Sequence, residues 1–153
     1  MTADKNAMKK VMDLFRQRYG ERMNEFLVPP PVLHLMQGEV VDVDLEAKTM
    51  IVRFPILQDY LNPYRTVQGG MIAAAVDNTI GPLSMLVAPP NVTRHLEMTY
   101  GRPVTPDLDF MVVQAQLAER KDRLLQFKAE VRDPSGARLA RARATHWIVE
   151  SEP

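Results

Sequence analysis

Asn62-Pro63-Tyr64-Arg65-Thr66-Val67-Gln68-Gly69-Gly70-Met71-Ile72-Ala73-Ala74-Ala75-Val76-Asp77-Asn78 reads as a polar turn, a glycine pair, and then a helix apolar on nearly every side, with one carboxylate inside the apolar run. Glycines at a helix start let another group approach the backbone closely. The first N–H groups there have no partner within the helix and form a small electropositive site. An acidic side chain in the middle of a buried helix is costly unless it is used or paired. The alanine-rich composition carries the helix from about Gly69 to Val87. Gly81-Pro82 is expected to kink or interrupt it near its last third, and Ala88-Pro89-Pro90-Asn91 closes it.

What flanks this helix is mostly strand. Val41, Val43 and Leu45 alternate with Asp42, Asp44 and Glu46, and Met50, Val52 and Phe54 alternate with Ile51 and Arg53, as the two arms of a hairpin. The three acids share a solvated strand face, which explains them better than a metal site does. Pro55 to Val67 is an irregular connection. Beyond the helix, alternation recurs through Leu96, Met98 and Tyr100, through Val113, Ala115 and Leu117, and through Leu125, Phe127, Ala129 and Val131. It ends in Ala140, Ala142, Ala144, His146 and Ile148. Asp133-Pro134-Ser135-Gly136 has proline and glycine where a tight turn takes them, and Glu119-Arg120-Lys121-Asp122 is a polar hairpin end.

At the other end, Met8, Val11, Met12, Phe15, Tyr19, Met23 and Phe26 recur at steps of three and four, which predicts one amphipathic helix over Ala3 to Phe26. Val28-Pro29-Pro30-Pro31-Val32 ends it. A long apolar helix is covered only by a sheet that wraps around it. The expected fold is therefore α+β: a strongly curved antiparallel sheet of five or six strands around one central helix, plus an N-terminal helix. The 153 residues form one domain, with the amphipathic helix and proline-rich turn in 1–30 and the core in 38–150.

Composition narrows the function. Lysine plus arginine equal aspartate plus glutamate at 19 each, so there is no footprint for nucleic acid. The chain has no cysteine, which removes a thiol nucleophile, a disulfide framework and a cysteine-based zinc site. The first ten residues lack the apolar core of a secretory signal, and Asp77, Pro82, Pro89 and Pro90 interrupt the most apolar region. The expectation is a cytoplasmic protein with no membrane partner.

Helix geometry adds a constraint. Gly70 and Asp77, seven residues apart, lie roughly 10 Å apart along the axis and point to nearly the same side. A carbonyl held at the helix N-terminus is too far from the carboxylate of its own chain for direct attack. If both act in one reaction, Asp77 comes from a second subunit whose helix lies antiparallel beside the first. The expectation is a homodimer, or a dimer of dimers, with two composite sites.

With Asn62, Gln68-Gly69-Gly70 and Val76-Asp77-Asn78 in place, the chain resembles the hotdog-fold acyl-CoA thioesterases, and within them the phenylacetyl-CoA thioesterase branch. That family's pattern is Asn, five residues, His-Gly-Gly, then Asp eight after the first Gly. Here Asn62, Gly69, Gly70 and Asp77 match, while Gln68 stands at the histidine. Val92-Thr93 and Met98-Thr99-Tyr100 resemble the family strand that carries a hydroxyl residue at Thr93. The likeness covers roughly Val40 to Val149 in layout and Asn62 to Pro103 in motif.

The resemblance implies hydrolysis of an acyl-CoA or acyl-carrier thioester with no metal or cofactor, coenzyme A being part of the substrate. It implies the Gly69 N–H as oxyanion donor, Asn62 as a neutral donor at the carbonyl or water, and Thr93 as orienter. Asp77 would be the general base or nucleophile, and Gln68, Gly70 and Asn78 would contact substrate. Glutamine cannot become a cation near neutral pH, so it supports the loop differently from histidine.

Other readings are weaker. His95 and Glu97 share a strand face that reads as solvated or as an interface, and His34 and His146 read as structural. Arg141 and Arg143 fit either an exposed strand face or the phosphates of coenzyme A. A hotdog dehydratase would want a histidine in the central helix, and a serine hydrolase would want Gly-x-Ser-x-Gly. Neither is present. The remaining alternative is a non-catalytic acyl-CoA-binding hotdog protein.

Overall fold

A computed structural model describes residues 4–151. The chain opens with α1 (Ala7–Tyr19), which buries Ala7, Val11, Phe15 and Tyr19, one residue per turn along a single stripe. The sequence predicted one helix to Phe26, but α1 ends at Gly20, whose positive φ of 55° only glycine adopts cheaply. A 3-10 turn over Gly20–Glu25 follows and returns Phe26 to the Tyr19 ring, 4.9 Å away between centroids. Ala3, the expected first residue of this helix, lies outside the described residues. A short helix that periodicity did not reveal, α2 (Pro31–Leu35), starts on Pro31 at a position where a missing N–H costs nothing.

Next come the hairpin β1 (Glu39–Asp44) and β2 (Thr49–Pro55), the central helix α3 (Gly69–Val87) and strand β3 (Asn91–Tyr100). The chain ends in β4 (Phe110–Lys121), β5 (Leu124–Arg132) and β6 (Arg138–Ile148). The six strands form one antiparallel sheet in the order β1-β2-β4-β5-β6-β3. Neighbours in sequence pair where turns are short. The non-sequential pairings, β2 with β4 and β6 with β3, carry the chain across the helix.

Expected inward residues are inward: Met50, Val52 and Phe54, then Val113, Ala115, Leu117, Leu125, Phe127, Ala129 and Val131. The first arm of the hairpin differs. A bulge between Val40 and Asp42 resets the alternation, so Val40 and Val43 are buried while Leu45 lies exposed in the turn. The Asp133 turn is as expected, with the Asp133 carboxylate accepting from the Ser135 and Ala137 N–H groups.

The helix α3 runs unbroken through Pro82 rather than stopping there. Pro82 removes one helical hydrogen bond, and the packed sheet holds the remainder of the helix in place. Its length and composition are also those of a membrane span, yet Ala75, Val76, Thr79, Ile80 and Leu83 are buried against the sheet. Its less buried residues, Gly70, Ala73, Ala74, Asp77, Gly81 and Met85, recur at helical spacing as one stripe. Asp77 stands in that stripe and is exposed in the single chain, so the expected burial cost does not arise there. The tie between the helical layers is explicit: the Tyr19 hydroxyl donates to the Met85 carbonyl at 2.8 Å.

Candidate functional site

A cleft of ≈ 340 Å³ runs between α1, the proline-rich segment, the inner face of the sheet and α3. Its walls are apolar: Val11, Phe15, Leu33, Val40, Met50 and Val52 among them. The polar groups gather at one place, where Asp77 and Asn78 of α3 meet Asn91 and Thr93 of β3 and His146 of β6. An apolar hollow with a few convergent polar groups is the general form of a small-molecule site.

Four of those groups, Asp77, Thr93, His146 and Asn91, are bonded in a row. The Thr93 hydroxyl lies 3.1 Å from Asp77 Oδ1 and 3.2 Å from His146 Nε2. His146 Nδ1 lies 2.7 Å from Asn91 Oδ1, and the Asn91 amide donates to the Pro89 and Ser84 carbonyls. The ladder makes this possible, because Thr93 sits directly opposite His146 between β3 and β6. A register shift between Thr93 and His95 follows immediately, and bulges of this kind re-aim side chains near a site. Burial pushes the His146 imidazole below its usual range, and the Asp77 charge pulls it back in the other direction.

The glycine pair lies at the far end of α3, away from this cleft. The Gly69 and Gly70 amides occupy the first helical positions, after Gln68 as N-cap, and Gln68 makes no side-chain cap. The loop before them is held by backbone bonds from Gln68 N–H to the Tyr60 carbonyl and from Val67 N–H to the Val104 carbonyl, 2.8 Å each. The Tyr100 hydroxyl donates to the Gly69 carbonyl at 2.6 Å, and burial pushes this phenol's pKa up, so it stays a donor. A Cβ on Gly69 would stand 3.1 Å from the Tyr100 ring, whereas one on Gly70 would meet nothing within 4 Å. Gly69 thus lies in close contact with Tyr100, while Gly70 faces open space within its own chain.

Asp77, Asn78 and Thr93 therefore share one locus, while Asn62, Gln68, Gly69 and Gly70 occupy another on the same helix. Asn78 is buried, and its amide donates toward Met36 Sδ at 3.3 Å. The Asn62 carbonyl oxygen accepts from the Tyr64 and Thr66 N–H groups, and its amide donates to Thr66 Oγ1 at 2.9 Å. This side chain organises its own turn and keeps one amide hydrogen uncommitted to it.

Sequence reasoning set His146 aside as structural and left Asn91 and Tyr100 without a role. His146 did carry a signal, as the one ionisable residue on an inward strand face otherwise made of alanine and isoleucine. Asn91 and Tyr100 carried none, because their partners depend on which strands lie side by side. His95 and Glu97 are exposed, with His95 Nε2 4.0 Å from a Glu97 oxygen, away from the cleft. Arg141 and Arg143 lie on the outer face of the sheet.

No protein-family model and no curated protein matches the sequence. Solved structures do match. A phenylacetic acid degradation-related protein of Ralstonia eutropha JMP134, described as a candidate thioesterase, is 27% identical. The alignment covers 85% of this chain and 99% of that one, with a TM-score of 0.74. The PaaI protein from the phenylacetic acid degradation operon of E. coli is 12% identical over 95% of this chain and 97% of its own, also at a TM-score of 0.74. A Streptococcus mutans UA159 protein solved with acetyl-CoA bound is 18% identical over 72% of this chain and 89% of its own, at a TM-score of 0.66. The last two likenesses speak to the fold alone. The chain is a hotdog-fold protein, and its neighbours among solved structures are PaaI-like thioesterases.

Proposed function

We propose that this chain hydrolyses an acyl-CoA thioester to a carboxylic acid and free coenzyme A, in a site completed by a second copy of itself. The observation that carries the reading is Asp77: a carboxylate at the polar end of an apolar cleft, with a hydroxyl beside it to hold it in place. The cleft volume of ≈ 340 Å³ lies within the range of small-molecule pockets, roughly 300–1,000 Å³, and suits an acyl group. The acetyl-CoA bound to the S. mutans neighbour agrees with a coenzyme A thioester as substrate.

In this reading the thioester oxygen points at the Gly69 N–H of one subunit, where the helix terminus favours developing negative charge. Asp77 of the other subunit takes a proton from water as the water oxygen bonds to the thioester carbon. The tetrahedral intermediate then expels the thiolate, and Asp77 returns the proton to sulfur. Water, thioester, acid and thiol balance with no further reactant. Asn62 offers its remaining amide hydrogen at the carbonyl, Thr93 orients Asp77, and Gln68, Gly70 and Asn78 line the substrate path.

Two features support assembly. The α3 stripe of small residues from Gly70 to Gly81 leaves room for another helix. Strand β3 ends the sheet order, so its outer edge offers unpaired backbone groups to a second chain. Thiol release from a panel of acyl-CoAs, differing in chain length and aromaticity, tests the reading. Turnover is expected with at least one member and loss of roughly 10²–10⁴-fold in Asp77→Asn, the usual contribution of a general base. Full activity in a folded Asp77→Asn would end the mechanism. Binding of acyl-CoA with no thiol release would instead make the chain an acyl-CoA-binding protein.

A further inference from the structure

The four side chains Asp77, Thr93, His146 and Asn91 contain one proton fewer than their contacts call for. Asn91 donates its amide hydrogens to two carbonyls, Pro89 at 2.8 Å and Ser84 at 3.3 Å, so the oxygen facing His146 is an acceptor. His146 Nδ1, 2.7 Å from that oxygen, must therefore carry a proton. The imidazole is buried among Phe127, whose ring centroid is 4.9 Å away, and Leu125, which pairs with it on β5. A neutral ring with its proton on Nδ1 has a bare lone pair on Nε2. The Thr93 hydroxyl then faces two acceptors, Asp77 Oδ1 at 3.1 Å and His146 Nε2 at 3.2 Å, with a single hydrogen to give.

We propose that His146 is a positioning residue for Asp77: its Nε2 competes for the Thr93 hydroxyl proton, which leaves the Asp77 carboxylate incompletely satisfied until it takes a proton from water. This rests on the reading of Asp77 as base. Once protonated, Asp77 donates to Thr93 Oγ1, the Thr93 hydroxyl turns to His146 Nε2, and every contact in the row has a donor and an acceptor. When Asp77 gives its proton to the departing thiolate, the row reverts. No bond to carbon is involved, and each proton is accounted for.

The effect is to share the Thr93 hydroxyl between Asp77 and His146 Nε2 instead of committing it to the carboxylate. A carboxylate that receives a full hydrogen bond is stabilised in its charged form and takes protons less readily. The groups facing His146 are Asp77 from α3, Asn91 and Thr93 from β3, and apolar Leu125 and Phe127 from β5. Asp77 is the charged group that acts on it among the described residues.

Nitrogen-15 NMR of the intact protein, labelled at histidine, reads the arrangement without substrate. Near pH 8 the His146 ring is expected with its proton on Nδ1 and a bare Nε2. A proton on Nε2 instead would overturn the proposal. Asp77→Asn is expected to move the His146 titration to lower pH, because the charge that favours imidazolium is gone. An unmoved titration would remove the coupling.

Catalysis supplies the second readout. In His146→Gln the side-chain amide can donate to Thr93 Oγ1, which releases the hydroxyl proton to Asp77. The acid limb of kcat/KM should move to lower pH and kcat fall roughly tenfold, while KM stays within about twofold. A lower kcat with an unmoved acid limb would mark His146 as structural only. Absence of thioesterase activity in the wild type would sink the base reading alone, since the tautomer and the Asp77→Asn shift are measured without turnover.

Discussion

Burial holds the His146 imidazole neutral to a lower pH than in the unfolded chain, where it titrates near its ordinary value of 6.5. The unfolded state therefore binds the extra proton first. Its contribution to stability is complete above 6.5 and is lost as pH falls through the depressed native value. Chemical denaturation at pH 7.5 and 5.5 is expected to show wild-type stability falling over this interval by more than that of His146→Phe. At the glycine pair, Gly69→Ala should lower the thermal midpoint, because its Cβ presses on the Tyr100 ring at 3.1 Å, while Gly70→Ala should not. Asp77 stood out in the sequence as the one carboxylate inside an apolar helix, whereas Thr93 was singled out only by the resemblance of its strand to the family's. The bond from Thr93 to His146 was not legible there, since 53 residues separate the two and strand order alone brings them together. Asn62 was legible as a polar turn residue, but its commitment to its own turn follows from the tight loop geometry over Asn62–Thr66, with Arg65 at a φ of 63°.

Helix α1 forms a wall of the cleft, so its side chains set how long an acyl group fits. Met12 lines that wall and is half-buried. Met12→Trp is expected to shift preference toward shorter acyl-CoAs, read as a change in the ratio of kcat/KM across a chain-length series. Phe15 is nearly inaccessible at 1% exposure, and Phe15→Ala should cost about 3–5 kcal/mol in a denaturation experiment. The central helix was read to its observed ends, Gly69 and Val87, because glycine and proline bracket a long apolar run. The first helix was read too long. Met23 and Phe26 continue its apolar spacing, but Gly20 turns the chain, and these two side chains pack against the core from a 3-10 turn instead. The short α2 was missed because five residues that begin on the last of three prolines carry no measurable periodicity.

Across the whole molecule, the glycine pair and Asp77 lie apart along one helix, and strand β3 leaves an open edge of the sheet. The alternations in the sequence made the wrapped sheet legible, because the inward faces of β2 and β5 are runs of apolar residues at period two. Which strands are neighbours was less so, since the placement of β3 next to β6 rests on a chain crossing that short-range pattern does not encode. Assembly is expected to place β3 of one copy beside β3 of another, and light scattering should give a dimer or a multiple of it. The composite site itself is tested by mixing subunits. Gly69→Pro deletes the amide hydrogen at a position where proline suits a helix start, and Gln68 before it has the extended φ and ψ of −56° and 135° that proline favours. Asp77→Asn and Gly69→Pro should each be inactive alone, whereas exchanged heterodimers should recover about a quarter to a half of wild-type thiol release, because each retains one intact pair of half-sites. No recovery in a mixture whose subunits demonstrably exchange and fold would contradict the two-subunit site.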